Sequence, residues 1–172
     1  QERERKIVLW LKEIRKDAAY VFLVGDIFDF WFEYKRAIPK GFVRFQGVVA
    51  EFTDRGIPVV FFTGNHDLWM FDYFTQELGV EVFHRPQVWN INQKKIYIGH
   101  GDGLGPGDHT YKMLKKVFTN KLAQWMFARL HPNLGIGFAS LWSRKSRAKN
   151  MKKDDRFFGQ EEWLWQYTQE VE

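Results

Sequence analysis

The sequence predicts an α/β fold that carries a basic helical insertion. Three observations support this. Apolar runs of strand length alternate with amphipathic helices. Three of those runs end in clusters of Gly, Asp, Asn and His. The charge pattern changes abruptly near residue 110. The 172 residues suit one domain and can bury a real core. Charged residues at 27% and aromatics at 18% exclude a largely disordered chain. The absence of Cys excludes disulfides, thiolate metal sites and Cys nucleophiles, and is compatible with a reducing cytoplasm. The uncharged runs are broken by Gly, Pro, Asn or His, so no transmembrane span is expected. The opening Gln1-Glu2-Arg3-Glu4-Arg5 has no signal-peptide pattern.

The elements follow in order. Ile7, Leu11, Ile14 and Ala18 fall at helical spacing, which predicts a helix over 3–16. Tyr20-Val21-Phe22-Leu23-Val24 reads as a strand buried on both faces, and it ends at Gly25-Asp26. Phe42, Phe45, Val49 and Phe52 predict a second helix over 42–54, stopped by Gly56. Residues 57–62 read as a second buried strand, ending at Thr63-Gly64-Asn65-His66-Asp67. Strand, helix, strand implies a parallel pair with a crossover helix. A short helix near 69–77 and strands at 80–83, 87–91 and 94–98 follow, with Asn92-Gln93 as a hairpin turn. The last strand runs into Gly99-His100-Gly101-Asp102. The Gly-rich stretch 101–107 lacks the Lys-Ser/Thr ending of a nucleotide P-loop. Residues 110–130 and 136–152 read as two basic, aromatic-rich helices around a break at His131-Pro132-Asn133, and 160–171 as one more.

The net charge of +5 is unevenly spread. Lys112 to Lys153 holds 11 Lys/Arg and no Asp or Glu, which leaves 15 basic against 21 acidic residues elsewhere. An acidic body with one basic stretch suggests a surface for phosphate, nucleic acid or anionic lipid, or simply a solvated helix face.

The polar clusters suggest metal chemistry. In open α/β sheets the carboxyl ends of the strands face the ligand crevice. Asp offers a hard anionic oxygen, Asn a neutral one and His a borderline nitrogen, a mixture suited to Mn²⁺, Fe²⁺ or Zn²⁺. A carboxylate can bridge two such ions, and a pair of ions can grip a phosphate and activate water. Taken singly, each residue has an ordinary reading. Asp26 can cap a helix, Asn65 can make an Asx turn and His100 can be a hydrogen-bonded loop residue.

These clusters resemble the GD, GNHD and GH motifs, in that order, of the calcineurin-like metallophosphoesterases. Gly64-Asn65-His66-Asp67 is the most specific. Gly25-Asp26-Ile27-Phe28-Asp29-Phe30-Trp31, Pro39-Lys40-Gly41-Phe42-Val43-Arg44-Phe45 and His100-Gly101-Asp102 are similar to the lipid A branch of that family, over about residues 3–153. The resemblance implies a two-sheet sandwich flanked by helices, as a single domain over 1–172 with a helical insertion at about 104–156. It implies metal-dependent hydrolysis of the pyrophosphate of UDP-2,3-diacylglucosamine to UMP and 2,3-diacylglucosamine 1-phosphate.

The residue roles come from the same resemblance. Asp26, Asn65 and His100 would bind two divalent ions, most simply Mn²⁺, and His66 would stabilise or protonate the phosphate. Asp67 and Asp102 would orient these groups, and Asp29 would brace the loop. Asp108, Tyr111, Ser146, Asn150 and Lys153 would hold the glucosamine phosphate and acyl chains. Ser146, Asn150 and Lys153 share one helix face, which by spacing alone is an ordinary polar stripe. Leu122, Trp125, Met126, Phe127, Phe138, Leu141 and Trp142 either line an acyl pocket or form a packing seam. The expected partners are a nucleotide-lipid and the anionic cytoplasmic face of a bacterial inner membrane, with no protein partner and no nucleic acid.

The family's Asp-x-His and Gly-His-x-His motifs do not occur in the sequence. The chain is therefore expected to be the central piece of a longer protein, lacking the first and last strands and part of the ligand set. His66 stands where many proteobacterial members have Arg. Two rivals remain: another phosphoesterase acting on nucleotide or nucleic-acid diesters, and a non-catalytic module that binds membrane or nucleic acid by charge and stacking.

Overall fold

The computed structural model describes residues 2–102 and 109–150, excepting the side chains of 110, 111 and 144–150. Two units are distinguished, one over residues 1–100 and one from Gly101 onward.

In the first unit, α1 (Glu2–Ile14) leads into β1 (Val21–Val24), α2 (Val43–Asp54) and β2 (Val59–Phe62). β1 and β2 pair in parallel, Val21 with Val59 through Val24 with Phe62, so α2 is the expected crossover. α3 (Tyr73–Leu78) carries the chain to β3 (Glu81–Phe83), which pairs in parallel on the other side of β2. The central strand β2 is apolar because it is covered on both faces: all four of its residues are buried.

β1 sorts its side chains by face. Val21 and Leu23 are buried with the residues of α1 and α2, among them Leu11, Phe45, Val49 and Phe52. Phe22 points the other way and meets Trp89 edge-on at 5.0 Å between ring centres. Trp89 belongs to β4 (Gln87–Ile91), which pairs antiparallel with β5 (Lys94–Ile98). Phe83 of β3 touches the same indole at 6.3 Å. Two sheets thus sandwich aromatic side chains, with helices on the outer face of the first. Asn92 and Gln93 turn the hairpin with φ of 50° and 64°, the pair of positive angles that a two-residue hairpin turn needs.

The loop after β1 supplies the largest core side chains. Phe28 and Trp31 are almost fully buried, their rings tilted against each other at 4.4 Å, with Phe45, Phe61 and Phe74 around Phe28. Burying each such ring contributes about 1.5–3 kcal/mol. The loop that carries the first polar cluster is therefore anchored by its own apolar residues.

The second unit contains α4 (His109–Thr119), α5 (Lys121–Phe127) and α6 (Pro132–Asn150). Here two expectations are corrected. The single helix read over 110–130 is two. Asn120 leaves helical geometry, and its side chain accepts hydrogen bonds from the amides of Leu122 and Ala123 at 2.9 and 3.2 Å, starting a new helix. The next helix begins earlier than 136, with Pro132 in the first turn, where a missing N–H does no harm. The helix read over 160–171 lies outside the described residues. Among the described residues no helix is long and apolar enough to cross a membrane.

Candidate active site

Gly25 and Asp26 follow β1 with φ of 68° and 53°. Left-handed backbone is easy for Gly and tolerable for Asp, and two such residues in succession turn the chain sharply at the strand end. The turn brings the Asp26 carboxylate to the loop after β2. One oxygen accepts the His66 amide hydrogen bond at 3.0 Å. The other lies 3.4 Å from Nε2 of His100. Burial by itself raises the Asp26 carboxyl. The hydrogen bond to His100, the His66 amide and the charges of both histidines outweigh it and hold the group below its ordinary value.

Two glycines make this meeting possible. A Cβ on Gly64 would collide with the Asp26 carboxylate and sit 2.9 Å from His100 Nε2. A Cβ on Gly25 would collide with the His100 ring and lie 2.8 Å from the Gly64 backbone. The space occupied by the carboxylate and imidazole is thus space that any larger residue would take away. An anionic oxygen and an imidazole nitrogen side by side, with Asn65 next in the chain to Gly64, suit a divalent cation of the Mn²⁺ to Zn²⁺ series. Among the described residues no group of three or more His, Cys, Asp or Glu is placed to hold a metal ion.

Asp67 is wholly buried behind this surface. Its carboxylate accepts the Gly64 amide at 2.6 Å and the Ile27 amide at 3.0 Å, which joins the two loops. Burial pushes its carboxyl up to about 6, against the opposing effect of those amides. His66 projects from the same loop. Its Nδ1 lies 3.1 Å from the Asp29 carbonyl, so that nitrogen carries the proton in the bonded tautomer. Asp29 braces the loop as expected, through its backbone.

Thr63, just before Gly64, bonds His84 Nδ1 at 3.2 Å, and burial pulls the His84 imidazole down. In the second unit, Asp102 pairs with Lys115 at 2.6 Å. In the sequence Lys115 is one member of the basic stretch. Nothing in its spacing singles it out, because the contact depends on a fold across 13 residues.

β5, the strand before His100, pairs with β4 as the Asn92-Gln93 turn predicts, in a sheet separate from β1 and β2, and Lys94 to Tyr97 are exposed. His100 still reaches Asp26, from a different sheet. Of the predicted substrate residues, Asp108 and Lys153 lie outside the described residues. Tyr111 falls on α4 and Ser146 and Asn150 on α6, with their side chains outside the described set.

The family model for calcineurin-like phosphoesterases matches residues 2–158. The chain belongs to the calcineurin-like phosphoesterases. These are metal-dependent hydrolases, and the Asp26–His100 pair is in keeping with that chemistry. The chain is 36% identical over 179 residues to the UDP-2,3-diacylglucosamine hydrolase of Porphyromonas gingivalis (strain ATCC BAA-308 / W83), covering 97% of this chain and 68% of that phosphoesterase. It is 29% identical over 138 residues to the enzyme of that name from Histophilus somni (strain 129Pt), covering 79% and 58%. For that of Proteus mirabilis (strain HI4320), the figures are 29% over 146 residues, 85% and 60%. The chain thus spans from somewhat under to just over two thirds of these relatives' lengths.

Proposed function

We propose that this protein hydrolyses the pyrophosphate of UDP-2,3-diacylglucosamine, yielding UMP and 2,3-diacylglucosamine 1-phosphate for lipid A biosynthesis. The observation that carries the hydrolytic reading is the meeting of Asp26, the His66 amide and His100 in space kept open by Gly25 and Gly64. The choice of substrate rests on the relatives of that name.

In this reading Asp26, Asn65 and His100 would hold two divalent ions, most simply Mn²⁺. Bound cations would supply a Lewis acid for the phosphoryl oxygens and acidify water to near neutrality. The side chains do the rest. Asp26 keeps its negative charge because the His66 amide and His100 favour the ionised form. His66, with Nδ1–H held at the Asp29 carbonyl, presents Nε2 to the phosphate; as the imidazolium it would neutralise charge or give its Nε2 proton to the leaving oxygen and keep the Nδ1 proton. Asp67 keeps the two loops in register, and Asp102 orients its own loop through Lys115.

We read residues 104–156 as an insertion on a single domain. Asp108, Tyr111, Ser146, Asn150 and Lys153 bind the glucosamine phosphate in this proposal. The basic stretch and the exposed Leu134, Phe138 and Leu141 support contact with acyl chains and an anionic membrane face.

The test is UMP release from UDP-2,3-diacylglucosamine with added Mn²⁺, together with elemental analysis of the protein. Metal-dependent UMP release that disappears in Asp26→Ala supports the proposal. Hydrolysis of a soluble phosphodiester with indifference to the lipid would replace it with a general phosphodiesterase. Neither metal nor turnover would leave a binding module.

A further inference from the structure

The loops after β1 and β2 run side by side beyond the last strand pairing, and one buried carboxylate ties them together. Glu33 is 7% exposed. Its Oε2 accepts the amides of Phe71, Asp72 and Tyr73 at 2.7, 2.8 and 3.1 Å. Its Oε1 accepts the indole N–H of Trp31 at 3.0 Å. Four donors thus converge on one side chain from two loops. Its own amide donates to the Trp69 carbonyl at 3.2 Å.

The chain of contacts continues toward the site. The Trp31 amide donates to the His66 carbonyl at 3.0 Å, and the His66 amide donates to Asp26. Trp31 is held by Glu33 at its indole N–H and packs against Phe28 and Phe74, with ring centres 4.4 and 5.3 Å away. A group bound this fully in a buried setting permits one arrangement, because moving it would leave several amides unsatisfied at once.

We propose that Glu33 is a positioning residue for His66. It acts through Trp31 and sets where the His66 ring meets the Asp29 carbonyl. The inference rests on the role given to His66 above and extends it to a residue whose sequence context carries no motif. Glu33→Gln offers an NH₂ group where one carboxylate oxygen stood. If the Gln oxygen keeps the three amides, its NH₂ faces the Trp31 N–H, donor against donor. Trp31→Phe removes the same link, so the double variant should lose no more than either single one. A merely structural loss would instead add.

The experiment uses ¹⁵N-histidine-labelled protein without metal, with the His66 signal assigned by His66→Gln. The expected result is a protected Nδ1–H for His66 that exchanges with water about tenfold faster or more in Glu33→Gln, as the loss of one buried hydrogen bond would give, and no faster still in Glu33→Gln/Trp31→Phe. A folded Glu33→Gln with unchanged exchange overturns the proposal, as does a double variant worse than the single. If circular dichroism shows Glu33→Gln unfolded, Trp31→Phe alone decides: faster exchange supports the role and unchanged exchange overturns it. Hydrolysis of bis(p-nitrophenyl) phosphate with Mn²⁺ gives a second readout, with kcat falling about tenfold or more in Glu33→Gln and KM nearly unchanged. If His66→Ala keeps its turnover, the functional reading of His66 fails. The NMR comparison then decides the positioning role by itself.

Discussion

The two units handle their apolar side chains in opposite ways. Up to His100, Phe28, Trp31, Phe45, Phe52, Phe61 and Phe74 are all at most 1% exposed. From His109 onward, Leu122, Trp125, Met126, Leu134, Phe138 and Leu141 are all more than half exposed, and Ala139 is the buried apolar residue among those described. The first unit buries a large aromatic core, although Leu9, Trp10 and Val43 stay exposed, and uses that core to hold polar groups at strand ends. The second presents amphipathic helices whose apolar sides face outward, with Lys and Arg among them. The difference separates a packed scaffold from a unit with exposed apolar side chains, and it is the latter that the proposed membrane contact would use.

The largest expected effect tests the scaffold. Asp26→Ala should lower metal-dependent turnover by more than the roughly 100-fold that follows loss of an outer partner. Gly64→Ala should do the same without touching a titratable group, because its Cβ would displace the Asp26 carboxylate. Steady-state rates and metal content would check both, and full activity in Gly64→Ala would refute the cradle.

The second prediction sets the units against each other by denaturant unfolding. Phe28→Ala should cost about 3–5 kcal/mol. Phe138→Ala, at 71% exposure, should stay within about 0.5 kcal/mol. Equal losses would abolish the distinction drawn between the units.

Membrane affinity gives the third. Binding to anionic vesicles should weaken with salt, each Lys or Arg near the surface contributing on the order of 1 kcal/mol. Leu134→Asp with Phe138→Asp should weaken it further at every salt concentration. Cosedimentation that ignores both salt and these substitutions would leave the helices without the partner proposed for them.

The smallest effects are pH-dependent. Asp67, pushed up to about 6 from 3.8, contributes stability that is fully present below 3.8 and is lost as pH rises through about 6. The melting temperature of the metal-free protein should therefore fall relative to Asp67→Asn between those values. His84 has the opposite sign. Its imidazole is pulled below 6.5, so its contribution is present above 6.5 and is lost as the pH falls through its folded value. His84→Gln should flatten that acid limb, and parallel melting curves would remove the effect.

Much of the architecture could be read in advance because it follows from local periodicity. The β1–α2–β2 crossover has apolar runs and a helical stripe of ordinary length, and the Asn92-Gln93 turn sits between two strand patterns. The break at Asn120 escaped the reading because apolar spacing continues across it. Only the side-chain cap reveals that the helix restarts there. The sheet to which β5 belongs escaped for another reason. Its hairpin with β4 follows from the Asn92-Gln93 turn, but no spacing shows that the hairpin forms a sheet separate from β1, β2 and β3.

The sequence by itself determined which groups are available: Asp26, Asn65, His66 and His100, each beside a Gly or one residue from it, at the ends of short extended runs. Their chemistry is local, fixed by residue type and by the turns that glycine allows. What only the tertiary structure decided is their company. Asp26 and His66 stand 40 residues apart and Asp26 and His100 farther still, and Glu33 reaches Phe71, Asp72 and Tyr73 across a similar gap. Such contacts are set by how two sheets pack and where two loops run together, and no spacing along a chain encodes that.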